Sequence, residues 1–118
     1  MPHLTIHVGA GLSASEQDLM LRNAHLAMLD SGEVREPINL KSRVIQAERD
    51  LVGHEGPETS FVHAELRLLV GRSPETRQRL ADLILAALAD GLRPEVETSV
   101  EVRELPAAYA KRQRVLPA

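Results

Sequence analysis

The chain has 118 residues with net charge −3, 43 % apolar and 2 % aromatic residues, and neither cysteine nor tryptophan. That length predicts one domain over 1–118 and argues against a TIM barrel or a full dinucleotide-binding enzyme, while the missing cysteines exclude disulfides, thiolate nucleophiles and cysteine-ligated metals. The acidic balance supplies no basic face for nucleic acid, and there is no apolar run of about 18 residues to span a membrane.

The chain opens on an alternation. Pro2, Leu4, Ile6 and Val8 interleave with His3, Thr5 and His7, which predicts a half-buried strand over 2–8. Met1-Pro2-His3-Leu4 lacks the basic and long apolar regions of a signal peptide, so the cytoplasm is the expected location. Gly9 and Gly11 break the strand, and Ser13 with Glu16 forms a capping box. The helix that follows carries Leu19, Met20, Ala24, Ala27 and Met28 and stops at Asp30-Ser31-Gly32. Residues 33–38, with Pro37, read as a linker.

Residues 39–48 alternate again, with Lys41, Arg43, Ile45 and Ala47 on one face of a second strand. A polar connection with glycines and a proline covers 50–59. The third strand, 60–70, sets Val62, Ala64, Leu66, Leu68 and Val70 against Phe61, His63, Glu65 and Arg67. Gly71 ends it. Ser73-Pro74 starts a second helix as N-cap and first-turn proline, and that helix ends at Asp90-Gly91. Val100 and Val102 mark a fourth strand running to about Glu104. The 106–118 tail, with Tyr109 and the basic run Lys111 to Arg114, reads as solvated or as reaching a neighbouring subunit.

The two halves match in punctuation. Gly11 and Gly71, Ser13 and Ser73, and Asp30 and Asp90 are each 60 residues apart. This predicts an α+β fold of two β-α-β units, about 1–50 and 60–105, forming a four-stranded sheet with two helices on one face. The other face would be bare, and copies of the chain packing together would cover it. Ferredoxin-like binding modules share this layout, so fold alone does not choose a function.

Pro2 is the residue with the most chemistry to offer. Removal of Met1 would leave a secondary amine, and an α-amino group titrates nearer neutrality than lysine. Burial or nearby cations lower that pKa further, so the amine can act as a general base near pH 7. The other polar residues are less specific. His3 and His7 lie on one strand face but roughly 13 Å apart, too far to share a metal, at about 3.3 Å per residue. His25, His54 and His63 have no ligand spacing, so no metal is expected. Ser13, Ser15 and Ser73 fit helix caps. Gly9-Ala10-Gly11 lacks the third glycine of a dinucleotide loop.

Met1-Pro2-His3 at the start, Phe61-Val62-His63, Gly71-Arg72-Ser73 with Glu75-Thr76-Arg77-Gln78, and Val102-Arg103-Glu104-Leu105 together resemble the 5-carboxymethyl-2-hydroxymuconate isomerases of the tautomerase superfamily. The likeness spans nearly the whole chain, and Leu40-Lys41-Ser42-Arg43-Val44 falls where the family has an Ile-Arg-Ser-Arg-type strand. The resemblance implies a homotrimer, a catalytic amino-terminal Pro2 and no metal or organic cofactor. The reaction would convert a dienol di- or tricarboxylate, from ring cleavage of an aromatic compound such as homoprotocatechuate, to its keto isomer.

Such a substrate needs cations for its carboxylates and for developing enolate charge. Arg72, between a strand-ending glycine and a helix N-terminus, is the main candidate. Lys41 stands at the family's functional strand-two arginine. It keeps the charge but not the bidentate fork, and Arg43 on the same face could substitute. Phe61 could wall the proline pocket or belong to the core. Two other functions fit the sequence: a non-catalytic trimeric module, or a tautomerase acting on another substrate.

Overall fold

The computed structural model describes residues 2–54 and 60–117. Period-two patterning produces four strands: β1 (His3–Val8), β2 (Lys41–Gln46), β3 (Phe61–Leu68) and β4 (Glu97–Glu104). The two helices are α1 (Ala14–Leu29) and α2 (Pro74–Ala89). Ser13 caps α1 reciprocally. Its hydroxyl accepts from the Glu16 N–H at 3.1 Å, and Glu16 Oε1 accepts from the Ser13 N–H at 3.0 Å. Ser73 caps α2 through the Thr76 N–H at 3.1 Å, with Pro74 at the first helical position.

The strands form one mixed sheet in the order β2-β1-β3-β4. β1 pairs parallel with β2 and β3 parallel with β4, while β1 and β3 run antiparallel at the centre. Both helices lie on one face. Leu4, Ile6, Val8, Val62, Ala64, Leu66 and Leu68 from the sheet share a single core with Met20, Ala24 and Met28 of α1 and Leu80, Ile84 and Leu88 of α2. Each large side chain buried there contributes about 1.5–3 kcal/mol by leaving water. The helix positions in this core match at intervals of 60 residues, as the caps do. Gly32 and Gly91 follow the helix ends with the same φ of +84°, a conformation costly for other residues.

The opposite sheet face carries His3, Thr5, His7, Lys41, Arg43, His63, Glu65, Arg67, Glu101 and Arg103, following the strand register. No helix covers it. Several element ends differ from the sequence expectation, among them the end of β2 at Gln46 rather than 48. Residues 37–39, spanning the end of the expected linker and the first residue of the expected strand, form a short 3-10 turn in which the Leu40 N–H donates to Pro37 O, so β2 begins at Lys41 rather than 39. β3 stops at Leu68, before Gly71 takes φ +119°. β4 starts at Glu97, earlier than its valines suggest, because it pairs along the full length of β3. Residues 55–59 of the expected 50–59 connection lie outside the described residues.

Candidate active site

The site is organised by the first residues of β1. Pro2 is buried, and its carbonyl accepts from the Lys41 N–H at 3.2 Å, which joins the amino-terminal end of the chain to the start of β2. Met1 lies outside the described residues. The pairing continues as His3 with Lys41 and Thr5 with Arg43, so these four side chains share the helix-free face.

Arg43 reaches across to β1. Its Nη1 donates to Thr5 Oγ1 and its Nη2 to His3 Nδ1, both at 2.9 Å. A guanidinium can only donate, so His3 Nδ1 presents its lone pair. Burial pushes the His3 pKa down, and the charges of Arg43 and Lys41 push it the same way. The group next to Pro2 is therefore a neutral imidazole inside a cationic cluster.

A cleft of about 240 Å³ opens at this end of the sheet. One wall carries His3, Asn39 and Lys41, and the other is the tail, with Tyr109, Lys111, Arg112 and Arg114. The tail thus folds back onto its own chain. Asn39 links the two walls: its backbone oxygen accepts from Lys41 Nζ at 3.3 Å and its Oδ1 from Lys111 Nζ at 3.2 Å. Among the described residues, no aspartate or glutamate lines the cleft. The arrangement can bind an anion beside a buried proline. Sequence reasoning passed over the tail as a wall, although one clue was present: the chain's only two lysines, Lys41 and Lys111, meet here.

Arg72 follows Gly71 into the start of α2, but its guanidinium is engaged elsewhere. Nε donates to Glu33 Oε1 and Nη2 to the Glu33 carbonyl, both at 2.9 Å, and Nη1 reaches Leu69 O at 3.4 Å. Glu33 also meets Arg79 at 3.4 Å. The structure thus brings Lys41 and Arg43 to the Pro2 end of β1, with Arg72 clamped to the loop after α1. Phe61 lies at the opposite end of β1, where its carbonyl accepts from the Gly9 N–H at 3.0 Å. Seven residue-to-residue steps lead from Pro2 to Gly9, roughly 23 Å at about 3.3 Å each. Within one chain Phe61 cannot wall the Pro2 pocket, and that role needs a second copy.

Among the described residues, no group of three His, Cys, Asp or Glu is placed to hold a metal, and no helix is long and apolar enough to cross a membrane.

This architecture is the tautomerase-like fold. The family profile of 5-carboxymethyl-2-hydroxymuconate isomerase matches residues 2–115, and the chain belongs to that family; it is an isomerase. A solved 5-carboxymethyl-2-hydroxymuconate isomerase from Deinococcus radiodurans R1 superposes with a TM-score of 0.83 at 24 % identity, covering 96 % of this chain and 90 % of that one. A 5-carboxymethyl-2-hydroxymuconate delta-isomerase gives 0.76 at 20 % identity over 97 % and 89 %. A fused 4-OT wild-type symmetric trimer gives 0.75 at 15 % identity over 97 % and 94 %. No curated protein sequence matches the chain.

Proposed function

We propose that the chain is a cofactor-independent, cytoplasmic tautomerase of aromatic-compound degradation that uses Pro2, freed of Met1, as its base. The substrate is a hydroxymuconate-type dienol carrying two or three carboxylates. The observation that carries this reading is the Lys41 N–H bonded to the Pro2 carbonyl, beside a cleft lined with cations. Family membership supports the reaction class.

The neutral Pro2 nitrogen accepts the proton of the 2-hydroxyl. The O–H electron pair becomes the new C=O bond as the diene electrons shift along the chain. The protonated proline then returns a proton to the distant carbon, giving the keto isomer and restoring the free amine. Burial of Pro2 and the cations around it favour the neutral amine that this cycle requires. Lys41, assisted by Arg43, holds a carboxylate and the developing enolate charge. Arg72 binds a second carboxylate once Glu33 releases it. The assembly is a homotrimer, in which Phe61 of one chain walls the Pro2 pocket of another.

Intact-mass analysis is expected to find Met1 absent. Pro2→Ala, equally processed, is expected to slow ketonisation of such a dienol by about 10²-fold or more, the usual scale of a lost general base. Unchanged activity in that variant overturns the proline mechanism.

A further inference from the structure

We propose that His3 is a catalytic hydrogen-bond donor: its Nε2–H meets the 2-oxygen of the dienol as that oxygen becomes a carbonyl, and Arg43, anchored on Thr5, is the positioning residue that fixes the ring. The proposal deepens the isomerase reading above and rests on it for the oxygen addressed. The tautomer of the ring and its place in the cleft stand on contacts within the chain.

The first observation is the tautomer. Arg43 Nη2 lies 2.9 Å from His3 Nδ1. A guanidinium has N–H groups to donate and no lone pair to offer, so Nδ1 is the acceptor of that bond. In a neutral imidazole the other nitrogen then carries the hydrogen, which makes Nε2–H a donor on the ring edge turned from Arg43. Arg43 is itself held, since its Nη1 donates to Thr5 Oγ1 at 2.9 Å. It grips its own register partner, Thr5, and reaches two residues back along β1 to His3. A planar fork makes both contacts at once, which a lysine could not.

The second is the charge state. Around His3, β2 presents Lys41 and Arg43, β3 presents Arg67, and the tail presents Tyr109 and Lys111 across the cleft. Arg67 is bonded to Glu65 at 2.7 Å. Burial, then the charges of Arg43 and Lys41, hold the ring pKa below its ordinary 6.5. A neutral ring suits the reaction. Its N–H stabilises an oxyanion without giving up the proton, as a preorganised donor does. An imidazolium would hand its proton to the oxygen and re-form the dienol.

The third is place. His3 follows Pro2 directly in the chain, and it lines the 240 Å³ cleft together with Lys41. The two are register partners on neighbouring strands, which lie about 4.8 Å apart. The 2-hydroxyl of the dienol sits on the carbon next to a carboxylate. A carboxylate resting on the Lys41 ammonium therefore leaves the 2-oxygen to the neutral donor on the adjacent strand.

The test joins a spectrum, a binding comparison and kinetics on the full chain. With nitrogen-15 in every histidine ring, long-range proton–nitrogen correlation at pH 7 is expected to show His3 as the neutral Nε2–H tautomer; the signals lost in His3→Gln identify it. In Arg43→Met those signals are expected to move toward a mixture of tautomers. By calorimetry, 2-oxoadipate, which carries the 2-oxygen, is expected to bind more tightly than adipate, which lacks it. His3→Ala is expected to abolish that preference, a change of about three- to tenfold for one hydrogen bond, and to leave adipate within about twofold. With a dienol dicarboxylate, His3→Ala is expected to lower kcat on the order of 10²-fold with KM within about threefold. His3→Gln, whose carboxamide can both accept from Arg43 and donate to the substrate, is expected to recover about tenfold of that loss.

A hydrogen on Nδ1 of His3 at pH 7 overturns the proposal. So does equal binding of 2-oxoadipate and adipate by the unsubstituted chain, or a preference that persists in His3→Ala. An unchanged kcat in His3→Ala, in a chain that does isomerise the dienol, overturns it and leaves the isomerase reading intact. Where His3→Ala folds poorly, the spectrum and His3→Gln decide. Conversely, a chain freed of Met1 that isomerises nothing, yet shows the tautomer and the His3-dependent preference, sinks the isomerase reading and leaves the 2-oxygen donor standing.

Discussion

At the scale of single residues, the arginines divide by the partner each has found. Arg72 is held by Glu33 through two 2.9 Å contacts. If Arg72 also serves a substrate carboxylate, Glu33 competes with that substrate. Glu33→Gln is therefore expected to lower KM roughly two- to fivefold, equivalent to about 0.5–1 kcal/mol, while lowering stability by about 1 kcal/mol. Steady-state kinetics and urea unfolding on the same preparation check both signs. His3 gives a pH prediction. Its folded pKa lies below the ordinary 6.5, so between that value and 6.5 the unfolded chain binds more protons than the folded one. Stability is thus full above 6.5 and declines as the pH falls toward the folded pKa. His3→Gln is expected to reduce the loss between about pH 7.5 and pH 5 in urea titrations.

At the scale of elements, each helix depends on its cap and on three core positions one turn apart. The Ser13–Glu16 box satisfies two amide groups at the α1 N-terminus. Ser13→Ala is expected to cost about 1 kcal/mol by thermal unfolding. The Glu16 pKa is lowered, first by the Ser13 backbone hydrogen bond and then by the Ser13 hydroxyl and Arg93. Its contribution is present above the ordinary 4.5 and is lost as the pH falls through the folded pKa, so the gap between Glu16→Gln and the unsubstituted chain is expected to close on acidification below that folded pKa. In α2, Ile84 is fully buried where α1 has Ala24. Ile84→Ala is expected to cost about 2–5 kcal/mol by leaving a cavity.

At the scale of the whole molecule, the helix-free sheet face and the position of Phe61 point the same way. Sedimentation is expected to give three times the 13.0 kDa chain mass. If Phe61 completes a neighbour's pocket, Pro2→Ala and Phe61→Ala chains mixed into one trimer create some sites with both residues intact. Co-refolded mixtures are then expected to exceed the mean activity of the two separate variants. Activity equal to that mean would remove Phe61 from the shared site.

The sequence by itself determined the order of elements, the inward faces of the first and third strands and both helix starts. Those features rest on local causes: period-two burial, side-chain caps, and glycines where φ must be positive. It also marked Pro2 and Lys41, through the residues that carry the family likeness. Only the tertiary structure decided how far each strand runs, because a strand's length depends on its partner, as β4 shows against β3. It also decided which cations are already engaged. Arg72 lies 39 positions from Glu33 and Lys111 lies 72 from Asn39, and no local pattern encodes contacts at such separations. The basic tail reads in the sequence as solvated or as reaching a neighbouring subunit, because three of the four residues 111–114 are cations. In the fold it closes the cleft beside Pro2, since the turn at residues 37–39 offers Asn39 as a shared acceptor for two lysines.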